Sequence, residues 1–196
     1  MSLAAGASPR PELEPHLLAY VAALAADRPA FAHVAPEGLL FVAGAARRAA
    51  RASVRGFAPP GPPSQAGLQR PQVVLHGRPI LYEICLRPRF FLAARPHERA
   101  RILAHELWHI GPRFDGELHP ERRHLAAPED ALEAALDAAL GDFDPTRTGL
   151  WPLLCLEGEL TLPAWLDRPP SLLPAGPGHR RRYGAEDLYP AIVTQR

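Results

Sequence analysis

The sequence predicts an α+β chain, and three stretches carry that reading. Residues 11–26, "PELEPHLLAYVAALAA", place Leu13, Leu17, Tyr20, Val21 and Leu24 at helical spacing. Residues 79–87, "PILYEICLR", alternate Ile80, Tyr82, Ile84 and Leu86 with Leu81, Glu83, Cys85 and Arg87, the two-residue period of a strand. Residues 96–110, "PHERARILAHELWHI", read as a second helix. Pro96 suits its first position, Glu98 meets the positive end of the helix dipole, and Gly111-Pro112 stops it.

The remaining elements follow in order. "GLLFVAG" (38–44) is a short apolar run and reads as a buried strand. "AARRAARASVR" (45–55) fits a helix or a strand. "APPGPPSQAGLQRP" (58–71) is a loop, because its prolines donate no backbone hydrogen bond and turn their predecessors away from helix. "QVVLH" (72–76) is strand-like, and "HGRP" (76–79) can turn it into the strand at 79–87 as a hairpin. "PEDALEAALDAAL" (128–140) is a helix; from Gly141 the proline-rich sequence reads as irregular, with two short strands. The whole chain, 1–196, suits a single domain.

Composition narrows the function. With 22 basic residues against 21 acidic ones the net charge is +1, which is not the signature of a nucleic-acid binder. The basic cluster "HRRRY" (179–183) then reads as a solvated tail. No run of about 18 apolar residues predicts a membrane span. The N-terminus has no basic start followed by an apolar core, so no secretion signal is read and a cytoplasmic location is expected. Cys85 and Cys155, far apart and without Cys-x-x-Cys spacing, read as reduced thiols.

"ILAHELWHIGPRFDGELHPERRH" (102–124) holds four of the nine histidines. His105 and His109 stack on one helix face about 6 Å apart. Two neutral imidazoles so placed can bind one zinc ion at about 2.0–2.1 Å. Glu106, about 100° round the helix from His105, can reach a zinc-bound water and act as its general base in peptide hydrolysis. Ile102, Leu103, Ala104, Leu107, Trp108 and Ile110 make the helix apolar almost all round, so it should be buried. Burying two histidines and a glutamate without partners would cost several kcal/mol, which a metal and its water would offset.

A catalytic zinc takes three protein ligands and one open position. Asp115, Glu117, His119, Glu121, His124, Glu129 and Glu133 are the downstream candidates. Ligand chemistry favours His119 or His124, with the Asp115-Gly116 turn bringing the chain back. Asp115 then reads as a turn residue or as a partner orienting a ligand imidazole. Cofactor and ligand set are therefore expected to be Zn²⁺ on His105, His109 and one of His119 and His124.

The segment resembles a group of predicted zincin-type metallopeptidases of bacteria, archaea and phages. Their active stretch looks like H-E-L-[LW]-H-I-x-P-x-F-x-G-x-L followed by a further His, matched here by HELWHI with Phe114, Gly116 and Leu118. The preceding "YEICLRPRFF" is similar to the strand that group places before its helix. The resemblance spans roughly residues 80–124. It implies a zincin-like fold: a small mixed sheet packed on the HELWH helix, with another helix behind it. It also implies a peptide or protein substrate bound in extended form beside a strand, for which "PILYEICLR" is the candidate. Two rival functions stand beside the peptidase: a non-catalytic zinc-binding interaction module, and a metal hydrolase acting on a non-peptide amide. An intact Glu106 speaks against the first, since a structural zinc site needs no base.

Overall fold

A computed structural model describes residues 9–45, 50–61, 67–122, 124, 128–149, 151–176 and 178–196. Residues 46–49 of the ambiguous stretch and 62–66 of the proline loop fall outside these. The order of elements is α1 (Glu14–Asp27), β1 (Leu39–Ala43), β2 (Ala52–Gly56), β3 (Leu68–Gln69), β4 (Gln72–Leu75), β5 (Arg78–Ile80), β6 (Tyr82–Leu86), α2 (Pro88–Ala93), α3 (Pro96–Trp108), α4 (Glu129–Leu140), α5 (Trp151–Leu154), β7 (Gly158–Trp165), β8 (Leu173–Pro174), β9 (Arg182–Tyr183) and β10 (Leu188–Gln195). Helices and small sheets thus share the chain, as the α+β reading expects. Among the described residues no helix is long and apolar enough to cross a membrane.

The sheet that positions the site is mixed, in the order β1-β6-β2. β1 runs parallel to β6, and β2 runs antiparallel to it. The alternation in β6 decides its two faces. Tyr82, Ile84 and Leu86 join Leu39, Phe41 and Ala52 in the main core with α1 and α3. Cys85 turns the other way, towards Leu40, Val42, Phe57 and Trp165. All five apolar positions of the predicted first helix, Leu13, Leu17, Tyr20, Val21 and Leu24, are buried. Tyr20 Oη also donates to the Ala100 carbonyl at 2.8 Å, tying α1 to α3.

Arg87 donates through its backbone N–H to Arg51 O, and Phe57 N–H to Leu81 O. These two bonds place the odd-numbered residues of β2 in hydrogen-bonded pairs with β6. The even-numbered ones, Ala52, Val54 and Gly56, therefore turn their main-chain groups to the opposite side. β2 has no strand partner there among the described residues.

Three expectations need correction. The run 79–87 is not one strand: Leu81 separates β5 from β6, donating to Gly38 O and accepting from Phe57 N–H. The chain changes partners at that point, β5 pairing with β4 and β6 with β1 and β2. β6 is consequently the central strand, with partners on both sides, and cannot lie open along a cleft. The hairpin at "HGRP" does form, with His76 and Gly77 both at positive φ (50° and 78°), the geometry of a tight two-residue turn.

The segment after Gly141 is more ordered than expected. β7 and β10, eight residues each, pair along their full length. Pro163 and Pro190 hid them, because proline reads as a strand breaker. The two prolines stand opposite one another in the ladder. The bond from Leu166 N–H to Asp187 O fixes the parity, so that pair is one in which neither residue donates across the ladder. The six-residue helix α2, between β6 and α3, carries no clear sequence signal; Phe90 and Phe91 anchor it in the core.

Candidate metal centre

α3 begins at Pro96 and ends at Trp108; His109 caps it, still with helical φ and ψ (−73°, −13°). His105 and His109 therefore keep the i, i+4 relation. Beyond the cap the chain folds back sharply. Gly111 N–H donates to Glu117 O and His119 N–H to His109 O, and Ile110 bridges Leu118. The return depends on Phe114 and Gly116, both at positive φ (50° and 86°). At Gly116 a Cβ would lie 2.0 Å from Phe57 O, so the loop docks backbone to backbone on the end of β2. Phe114 packs against Tyr82, ring centres 5.1 Å apart. Tyr82 Oη donates to Glu117 O (2.8 Å) and accepts from Gly116 N–H (3.0 Å). A 3₁₀ turn at Pro120–Arg122 then leads to His124.

His105, His109 and His124 come together. Their ligand atoms all lie within 4.8 Å of one another. His105 Nε2 is 3.1 Å from His109 Nε2 and 3.4 Å from His124 Nε2. Nitrogens bound to a tetrahedral zinc at about 2.05 Å stand about 3.3 Å apart, so both spacings suit a shared ion. Protonation states agree. On its far side His105 Nδ1 meets Glu133 Oε1 at 3.1 Å. A carboxylate only accepts, so Nδ1 carries the hydrogen and Nε2 offers a lone pair. Burial pushes the His109 pKa down to about 4, with His105 and His124 adding to the shift, and burial likewise lowers His105. Imidazoles whose nitrogens converge in this way fit a divalent cation. The group is graded in exposure: His109 is buried, His105 half-buried and His124 exposed.

The other expected residues fall as follows. His119 stands outside the group. The main-chain bond to His109 holds its backbone against the helix end, while its imidazole shares the surroundings of His33 and Arg122. Its Nδ1 is buried without a partner among the described residues. Asp115 is a turn residue: its Oδ1 accepts from Glu117 N–H at 3.1 Å, and Arg113 pairs with it at 2.8 Å. Glu133, considered above as a ligand, instead braces His105. Arg101 holds it from the other side at 2.5 Å and also pairs with Asp137, so α4 is clamped to the exposed flank of α3.

Glu106 is buried between α3 and the sheet. Burial raises its pKa to about 7; the Val54 main-chain amide and the Arg87 charge act in the opposite direction. Val54 belongs to the outward-turned set of β2, so the carboxylate sits at the unpaired side of that strand. Sequence reasoning missed this contact, because 45–55 fits a helix as well as a strand. It also missed Arg122, which lies over the Trp108 ring at 4.7 Å and donates to Trp108 O at 3.1 Å, fixing the turn that leads to His124.

Comparison of the chain with protein-family models, with curated proteins and with solved structures finds no match. The histidine group and its surroundings therefore carry the functional argument alone.

Proposed function

We propose that the chain is a zinc-dependent peptidase whose ligands are His105, His109 and His124 and whose general base is Glu106. The observation that carries this reading is the convergence of the His105, His109 and His124 imidazoles, with a buried carboxyl group one residue after His105 on the same helix. Zinc held there would polarise a carbonyl and make a coordinated water acidic. Glu106, one residue from His105, would take a proton and later pass it to the departing amine. Glu133 orients His105 through Nδ1, and Arg101 keeps Glu133 in place. The Val54 N–H already serves Glu106, so an extended peptide along β2 would have to pair with the outward main-chain groups of Ala52 and with the Val54 carbonyl.

The test joins metal content to turnover. The purified chain, stripped and reloaded, should retain one zinc per molecule and cleave an unfolded protein. Glu106→Gln should keep the zinc and lose cleavage by about 10²–10⁴-fold. Zinc retention with no cleavage by the unaltered chain would leave a binding module instead. No zinc retention would end both readings.

A further inference from the structure

On the reverse face of the sheet, away from the histidines, lies a cavity of about 520 Å³. Arg55, Arg87 and Arg168 line it, together with Gly44, Ser171 and the apolar walls of Val42 and Trp165. Behind it stands Glu83, fully buried. Its carboxylate accepts from Arg55 Nη2 at 2.6 Å, from Trp165 Nε1 at 2.6 Å, from Arg168 Nε at 3.1 Å, and from Arg168 Nη2. Two carboxylate oxygens offer about four lone-pair positions, so Glu83 has no accepting capacity left.

The charges do not close. Two guanidinium groups, Arg55 and Arg168, share one carboxylate, leaving a net positive charge at the cavity wall. The donors do not close either. Arg55 Nη1 is used by Pro169 O at 2.6 Å, but Arg55 Nε is buried and has no acceptor among the described residues. A buried donor with no partner is unfavourable, and an acceptor from outside would satisfy it.

We infer that this cavity is a binding site for a small organic oxyanion, with the anionic head on Arg55 and Arg168 and an apolar body against Val42 and Trp165. The volume admits a ligand much larger than an inorganic ion. Guanidinium geometry fits a carboxylate or a phosphate monoester equally, through paired N–H donors. Arg55 follows Val54 in β2, so the ligand would sit behind the strand that meets Glu106.

The test measures binding calorimetrically in metal-free protein, where the histidine group cannot bind the anion through zinc. The probes are phenyl phosphate, benzoate and inorganic phosphate at constant ionic strength. One saturable site is expected for phenyl phosphate or benzoate, whichever head group the site selects, with inorganic phosphate weaker. Arg168→Gln should weaken it about tenfold or more, since a charge-assisted hydrogen bond is worth roughly 1.5–3 kcal/mol. The Arg168 side chain is 42% exposed, so the variant should fold. Ser171→Asp is the second variant: it puts a negative charge at the exposed rim without touching Glu83, and should also abolish binding. The absence of saturable binding by all three probes would overturn the assignment. Binding left intact by both substitutions would place the anion elsewhere and overturn it equally.

Discussion

At the scale of single residues the decisive distinction is between His119 and His124. Both follow the motif within fifteen residues of His109, and ligand preference alone does not separate them. The main-chain bond between His119 and His109 does, by committing the nearer histidine to the turn. His124→Ala should lower zinc affinity at least about a hundredfold, while His119→Ala should change it only a few-fold, as read by competition with a chromophoric chelator. Glu133→Gln, which removes the brace on His105, should cost about tenfold in the same assay. Gly116 offers a sharper test of the loop. Its φ is 86°, and a methyl group would lie 2.0 Å from Phe57 O. Gly116→Ala should therefore destabilise the fold by roughly 2–4 kcal/mol in urea denaturation and weaken zinc binding with it. Phe114 and Gly116 thus have a mechanical role, since the chain turns back towards the helix through their positive φ.

Individual elements show which signals were legible. α1, α3 and α4 were readable because their apolar residues recur at helical spacing, and their ends came within three residues. β7 and β10 were not, because each carries an internal proline. β2 was ambiguous, since its alternation becomes visible only when Arg55 and Ser53 are known to face away from α3. Two elements make quantitative predictions. At the start of α1, burial raises Glu14 to about 6 although the helix N-terminus favours a carboxylate; desolvation outweighs the dipole. The folded chain then holds that proton more tightly than the unfolded one. The resulting stability is fully present below about pH 4.5 and is lost as pH rises through about 6. Glu14→Gln should flatten this slope and leave the variant about 2 kcal/mol more stable than the parent at pH 7, by urea denaturation at both pH values. In α3, Arg99 is fully buried and gives hydrogen bonds to main-chain oxygens of Phe90, Phe91, Leu154 and Arg196. It locks α2, α5 and β10 to the helix that carries the site. Arg99→Leu would strand those acceptors and should cost roughly 3–5 kcal/mol.

For the whole molecule, metal and fold should be coupled. A ligand bound only by the native state adds stability by mass action, about 2.7 kcal/mol at one hundred times its dissociation constant. Zinc should therefore raise the thermal midpoint of the parent chain, chelation should lower it, and neither should move the midpoint of His124→Ala. That coupling follows from the route of the ligands, two on α3 and one beyond a loop docked on β2. The motif's spacing makes the first two candidates; bringing the third beside them depends on contacts between distant residues such as Gly116 and Phe57, and no local pattern encodes those. The facing prolines of the β7–β10 ribbon have a consequence for life in a crowded solution. Position 190 lies on the outer rim of β10, where a strand from another copy would otherwise find a donor waiting. A ring nitrogen without hydrogen there discourages recruitment of neighbours into a growing sheet. Exchanging it for threonine should make the protein sticky, with soluble multimers or precipitate emerging on size-exclusion chromatography.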